Sequence, residues 1–424
     1  MARQKIRGDL SVRPANKLRR PISTRRRLGS KPVEREKTPR ENAFDYFIGR
    51  RFPHKICFTT PGGTQGFNGV ITWPSDKHLS SDYYPPAVDP AIIKHNLMAI
   101  KDARLLMLGG ARGIKEALQA NLYGRPRDVI NVDAAVDDYR ESCTYNMVQE
   151  GVPKEKIRFI ADDFMYFGKD GLKSKKLWTT DDSFWADKNW DRIRPADDAT
   201  PLVVTMYGHT FGNYTLPEIK KFLLNLRAKL HPGDIAYISI DSTQDEGLLK
   251  KAYSIPPFLT WFSRVFEHVC RRYLNLHGVK SGRLGYEVEV TKERHGVRVV
   301  RGYVTVDKDH PDLTHPELEK KPSSGSMDLN QQLDEIEREF TRIEKAIPEW
   351  QKFIEAMNNF KESRFEMMQS RRFPEKLLLT LFKECGFEVR RRPGSRDSVP
   401  LRAPANDNWA KQGVNSNIWG LVAA

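Results

Sequence analysis

The 424-residue sequence contains only four cysteines, Cys57, Cys143, Cys270 and Cys385, and no CxxC pair. Cysteines this scattered exclude a disulfide framework and a structural zinc site, so a reducing, cytoplasmic setting is expected and no metal is called for. There is no unbroken run of roughly 18 apolar residues, which argues against a membrane span. The basic N-terminal stretch lacks the apolar centre of a secretory signal. Strong charge is also missing from most of the chain. The net charge is +15, but residues 1–40 hold fourteen Lys and Arg against Asp9, Glu34 and Glu36, which leaves only +4 for the other 384 residues. Within that arm no aromatic residue is available to stack on a base. Rich in Arg and Pro and poor in apolar residues, residues 1–40 are expected to be disordered. A solvated tail and a tether to nucleic acid or another anionic surface both remain open for it.

What the chain does have is a regular α/β alternation that starts at Leu105-Leu106-Met107-Leu108-Gly109-Gly110-Ala111-Arg112-Gly113-Ile114. Four apolar residues predict a buried strand, the small residues a tight turn, and Ile114, Ala117 and Leu118 the inner face of a helix. Strand, glycine turn and helix form the first unit of a doubly wound sheet, in which small residues let a cofactor approach the backbone. The next apolar run ends on Asp133, 24 positions after Gly109, about the spacing (~20) at which a carboxylate meets a ribose. Further strands are predicted at 157–161, 202–206 and 235–240, with helices at 89–100, 136–150 and 245–275. A hairpin spans 285–291 and 297–306, and a helix at 374–385 precedes strands at 387–391 and 418–422. An α/β protein with a mostly parallel sheet follows. A polar, Trp-bearing insertion runs from 169 to 199, a linker from 308 to 327, and Leu329, Leu333, Ile336, Phe340 and Ile343 form one apolar helical stripe.

Two nucleoside cofactors compete for the glycine turn. Its run of Gly109, Gly110 and Gly113 echoes that of short-chain dehydrogenases, which need a Tyr-x-x-x-Lys pair for proton transfer. No tyrosine here has a lysine four residues on. S-adenosylmethionine (SAM) suits the remaining pattern better. Asp133 can accept from both ribose hydroxyls, Asp163 ends the third strand where an adenine amine could donate, and Gly208, Thr210, Gly212 and Asn213 leave room above the sheet. All lie where strands end, the edge at which such sheets bind ligands. Either aspartate could instead be a helix cap or a turn residue.

These residues together resemble the SAM-dependent histidine Nα-methyltransferases of ergothioneine biosynthesis. Gly208-His209-Thr210-Phe211-Gly212-Asn213 is similar to that family's GSTIGN segment, Ala252-Tyr253 to its AYD element and Tyr83-Tyr84-Pro85 to its YYPT segment. Gly109 to Lys115 resembles its glycine turn, Asp163-Phe164 its GDF, and Ser370-Arg371-Arg372-Phe373 its closing region. The likeness covers residues 80–310 and 365–424, with the arm, 169–199 and 308–360 outside it.

The resemblance implies a class I methyltransferase, a Rossmann-like doubly wound sheet with an inserted α+β substrate-binding subdomain. Its expected parts are a segment at 41–100, a SAM-binding core at 101–245, the subdomain at 246–365 and closure of the core sheet by 366–424. It implies that Gly109, Gly110, Ala111, Gly113, Lys115, Asp133, Asp163, Phe164 and Tyr207 hold S-adenosylmethionine. By the same likeness Asn213 and Tyr253 bind a substrate carboxylate, Tyr84 lines the amine site and Glu287 contacts the acceptor side chain. The chain departs from the pattern at Met107-Leu108, where the family has an acidic residue, and at Ala111, Ser254 and Glu289. The implied activity is methylation of the amine of an amino acid or related small molecule. Action on nucleic acid or protein through the arm, and a degenerate SAM-binding protein, stand as alternatives.

Overall fold

A computed structural model describes residues 39–52, 57, 85–96, 98–165, 184–186, 190–195, 197–274, 276, 278–306, 364–390, 400–404, 411 and 413–424. All of these lie in the unit Lys37–Ala424. The arm up to residue 38, expected to be disordered, Tyr84, the 308–327 linker and the 329–343 stripe lie outside the described residues.

Among the described elements, the helices α1 (Pro39–Ile48) and α2 (Pro85–His95) precede the sheet. The chain then alternates through β1 (Arg104–Leu108), α3 (Ile114–Tyr123), β2 (Asp128–Asp133), α4 (Val136–Gln149), β3 (Ile157–Ala161), β4 (Leu202–Met206), α5 (Leu216–Lys229) and β5 (Ile235–Asp241). Helices α6 (Glu246–Tyr253) and α7 (Pro256–Tyr273) follow, then β6 (Leu284–Lys292), β7 (Arg298–Val306) and β8 (Arg364–Arg372). Helix α8 (Glu375–Glu384) and strands β9 (Phe387–Val389), β10 (Leu401–Arg402) and β11 (Ser416–Ala423) complete the described chain.

The large sheet has the order β10-β11-β5-β4-β1-β2-β3, with β9 also on β11. Strands β1 to β5 pair in parallel, and β11 runs antiparallel against β5. Arg104 to Leu108 in β1, Leu202 to Met206 in β4 and all of β5 are buried. That is why they read as unbroken apolar runs rather than as alternations: helices cover both faces of a parallel sheet. Switching the order at β1 and β4 opens a crevice above the carboxyl ends of those strands. Helix α5 starts squarely because Thr215 and Glu218 form a capping box, with the Glu218 carboxylate accepting from Thr215 N at 2.7 Å.

The small sheet, β6-β7-β8, is antiparallel. Its third strand corrects the expected domain boundary, since residues 364 and 365 pair with β7 in the same strand as 366–372. Strand β8 reads as polar (Arg-Phe-Glu-Met-Met-Gln-Ser-Arg-Arg), yet all but its first residue are buried. Ion pairs make that possible: Arg371 meets Glu293, Arg372 meets Asp241 and Glu366 meets Arg51. The 169–199 segment also departs from a polar insertion. Its described aromatics Phe184, Trp185 and Trp190 are buried in the cluster that holds Phe222, with Trp185 and Trp190 stacked at 5.4 Å.

Candidate SAM and acceptor site

The glycine turn is built from beneath. Gly109 N donates to Val132 O at 2.8 Å and Gly113 N to Gly110 O at 2.8 Å, folding the chain back from β1 into α3. Gly110 is demanded by packing, because a Cβ there would lie 2.5 Å from the Met107 side chain and 3.0 Å from Asn131 Oδ1. Ala111 takes a positive φ of 43°, an arrangement that costs about 1–2 kcal/mol outside glycine. Two β2 side chains hold it there. Asn131 Nδ2 donates to Ala111 O at 3.0 Å, and Ala111 N donates to Asp133 Oδ2 at 3.2 Å.

Asp133 also accepts from Ala135 N at 2.8 Å, and Asp163 from Met165 N at 3.1 Å. Both aspartates therefore fill the turn role, and Asp133 additionally ties the end of β2 to the glycine turn. Burial raises the Asp133 pKa, offset in part by the Ala135 and Ala111 amides. Phe164 is fixed by its carbonyl, which accepts from Trp185 Nε1 at 2.7 Å. Trp185 is thus a site-supporting residue that sequence reasoning assigned to an outlying insertion.

The ends of β1, β3 and β4 come together. A Cβ added at Gly109 would sit 3.7 Å from both the Phe164 ring and Thr210 Oγ1. The residues present fit a nucleoside bearing a sulfonium: a carboxylate at the end of β2, an aromatic after β3 and small residues after β4. Tyr207 is the exception and is corrected here. Its side chain turns into the core, where the hydroxyl donates to Gln119 Oε1 at 2.8 Å.

Asp89, unmentioned by any motif, gathers the rim. Fully buried on α2, its Oδ2 accepts from Lys115 Nζ and from Gly208 N, each at 2.8 Å, and its Oδ1 from Ser239 Oγ at 2.6 Å. Burial alone would raise its pKa. The charge of Lys115, that of His209 and the donated hydrogen bonds outweigh burial and hold it below the usual carboxylate range. Lys115 is thereby fixed beside Gly208 rather than left to swing. The signal that could have found Asp89 was an acidic residue among Val88, Ile92 and Ile93 on an otherwise apolar helix face.

His209 has a positive φ of 61° and is buried. Its Nε2 lies 2.6 Å from Ser416 Oγ and 3.6 Å from Asp89 Oδ1, while Nδ1 has no hydrogen-bond partner among the described residues. Burial pushes its pKa below that of an ordinary imidazole, against the opposing pull of the Asp89 and Asp241 charges.

On the acceptor side, Asn213 ends the short turn of helix after β4 and Tyr253 ends α6. Arg372 reaches the elements that carry them. A Cβ on Gly212, next to Asn213, would lie 3.3 Å from an Arg372 guanidinium nitrogen, and that guanidinium also donates to the Tyr253 hydroxyl. Glu287 is not brought to this place. In β6 the inner face is Leu284, Tyr286, Val288 and Val290, packed on the core, and Glu287 lies between them on the outer face. Its side chain is 60% exposed, with the carboxylate 4.0 Å from Arg364, so the structure does not bring it to Tyr253 and Arg372. Tyr286 points inward instead, 5.7 Å from Phe262, with a buried hydroxyl that has no hydrogen-bond partner among the described residues.

Strand order, the antiparallel last strand and a glycine turn under the first helix define a class I, Rossmann-like methyltransferase. Residues 168–277 match the family described as histidine-specific methyltransferase, SAM-dependent, and the chain is a SAM-dependent methyltransferase. The matched stretch includes the 169–199 segment, which had been expected to lie outside the resemblance. No curated protein matches the sequence. Solved structures that are similar include a SAM-dependent methyltransferase from Clostridium acetobutylicum ATCC 824 (9% identity, 84% of this chain and 99% of that one, TM-score 0.36). Another is the CcbJ methyltransferase from Streptomyces caelestis (10%, 84% and 96%, 0.36). A third is the 1,6-didemethyltoxoflavin-N1-methyltransferase from Burkholderia thailandensis with bound S-adenosylhomocysteine (11%, 86% and 88%, 0.35). Among the described residues no helix is long and apolar enough to cross a membrane.

Proposed function

We propose that the chain methylates the amine of an amino acid or a related small molecule. The observation that carries this reading is the buried guanidinium of Arg372, which donates to the Tyr253 hydroxyl and packs close to Gly212, the residue before Asn213, at the carboxyl ends of β4 and β5. The histidine-specific family description supports it. S-adenosylmethionine supplies an electrophilic methyl on sulfonium, so the protein's task is to hold a neutral amine in line with it. Such positioning alone is worth about 7–11 kcal/mol of barrier. Gly109, Gly110, Ala111 and Gly113 would give the cofactor its approach to backbone, and Asp133, Asp163 and Phe164 would orient its nucleoside, with Lys115, held beside Gly208 by Asp89, completing the set that would hold it. Asn213 and Tyr253 would orient the acceptor through its carboxylate.

Which amino acid is methylated depends on the inner face of β6, where Tyr286 stands and no carboxylate does. Incubation with methyl-labelled S-adenosylmethionine and the twenty common amino acids, read by mass spectrometry, tests the reading. A labelled N-methyl amino acid is the expected product. Label transferred only to nucleic acid or protein, and lost on removing residues 1–40, would replace it with the arm-directed alternative.

A further inference from the structure

Arg372 is fully buried, and the groups around it come from both sheets. Its Nε lies 2.6 Å from Asp241 Oδ2, at the end of β5, and both side chains are shut off from solvent. One terminal nitrogen donates to Ser370 Oγ at 2.7 Å and to Arg371 O at 3.1 Å. The other donates to the Tyr253 hydroxyl, and the guanidinium carbon stands 5.3 Å from the Tyr253 ring centroid. Phe258 stacks on the Tyr253 ring, with centroids 5.2 Å apart, and limits how it can turn. Asp241 is anchored in its own right, accepting from Thr243 N at 2.9 Å.

A guanidinium has only donors, so the Tyr253 oxygen must accept from it. The phenol's single hydrogen is then directed away from Arg372, and a cation behind the oxygen makes that hydrogen a stronger donor. Asp241 already balances the charge of Arg372, so the guanidinium is not itself the receptor for a second anion. We infer that Arg372, held by Asp241, is a positioning residue that orients and polarises the Tyr253 hydroxyl as a donor to the carboxylate of the acceptor. The inference rests on the proposed amino-acid substrate and adds to it the element that sets preference for a carboxylate. It also explains why β8 of the small sheet must reach the large one: without Arg372 the Tyr253 hydroxyl could donate to any nearby acceptor.

The test uses the full-length protein. The best acceptor among the twenty common amino acids is compared with its decarboxylated amine, and kcat/KM for methyl transfer is measured for both. Wild-type protein is expected to prefer the amino acid. Tyr253→Phe removes only the hydroxyl and leaves Asp241, Ser370 and the Arg371 carbonyl to Arg372. Arg372→Lys keeps the charge but cannot span Asp241 and Tyr253 together. Each variant is expected to reduce the preference for the carboxylate by about tenfold or more, the worth of a hydrogen bond to a charged group. The loss should fall on KM of the amino acid, with kinetics of the decarboxylated amine within about threefold of wild type. Equal losses for both acceptors would mean a purely structural role and overturn the inference, as would an unchanged preference in Tyr253→Phe. If wild-type protein methylates no amino acid, or shows no preference for the carboxylate, the substrate reading itself fails and the inference goes with it.

Discussion

At the amino edge of the large sheet, buried charges neutralise one another. Arg104, the first residue of β1, meets Asp128, the first of β2, at 2.7 Å, and also Asp198 at 2.7 Å. Arg194 pairs with Asp234, whose other oxygen accepts from Leu202 N at 2.8 Å. At the carboxyl edge the buried charges also serve loops. Asp89 collects a lysine, a serine and a backbone amide, and Asp133 holds the glycine turn. There the backbone bends through positive φ at Gly109, Ala111, Gly208 and His209, and His209 Nδ1 has no hydrogen-bond partner among the described residues. The amino ends of these strands thus carry ion pairs, whereas the carboxyl ends combine ion pairs, Lys115 with Asp89 and Arg372 with Asp241, with bent loops. The carboxyl edge is where open α/β sheets bind ligands.

Substitutions at the two edges should separate stability from binding. The largest effect is expected for Arg104→Met, which leaves Asp128 and Asp198 without their cation. Breaking a buried pair of this kind costs about 3–5 kcal/mol. Thermal denaturation should show a clear fall in Tm, with the affinity for S-adenosylhomocysteine, measured calorimetrically, unchanged. A lowered affinity would break the division of labour.

Next in size is Glu116→Gln, in α3 beneath the turn. Burial pushes the Glu116 pKa up to about 7, against 4.5 for the ordinary group, with partial relief from a backbone hydrogen bond and the Lys115 charge. A folded pKa above the unfolded one means that the native state holds the extra proton. The resulting stability is fully present below about 4.5, falls as pH rises towards 7 and stays lost above it. Glutamine mimics the protonated form and can still accept from Thr205 Oγ1. The variant should therefore gain up to roughly 3 kcal/mol over wild type at pH 8, and little at pH 5. Denaturant titrations at the two pH values check this, and an equal gain at both would refute it.

Asp133→Asn, at the binding edge, should do the reverse of Arg104→Met. Loss of a charged acceptor is worth about 1.5–3 kcal/mol, or tenfold to a hundredfold in Kd for S-adenosylhomocysteine. The smallest effect is expected for Glu287→Ala. An exposed pair contributes about 0.2–1 kcal/mol, so Tm and the KM of the acceptor should both stay close to wild type. A large rise in KM would return Glu287 to the site.

Legibility in the sequence followed the range of the interaction. Strands β1, β2 and β4 were readable because continuous apolar runs such as Leu105 to Leu108 are local signals. The turn was readable because small residues there answer a local geometry, as Gly110 does against Met107 and Asn131. Strand β8 was not, since its arginines and Glu366 look solvent-facing until their partners are known. Period-two alternation in β6 showed that Tyr286 and Glu287 face opposite ways, but not which faces in. Packing of β6 against Phe262 on α7 decided that.

By itself, then, the sequence determined the succession of strands and helices, the glycine turn with Asp133 after it, and the class of cofactor. These depend on residues within one strand–turn–helix unit, where spacing alone dictates geometry. Only the tertiary structure decided that Asp89 would gather the rim, that Tyr207 and Glu287 would turn away from it, and that Arg372 would meet Tyr253 across 119 positions. Those contacts arise from strand register and from the packing of one sheet on another, and no local pattern encodes which buried charge will find which partner.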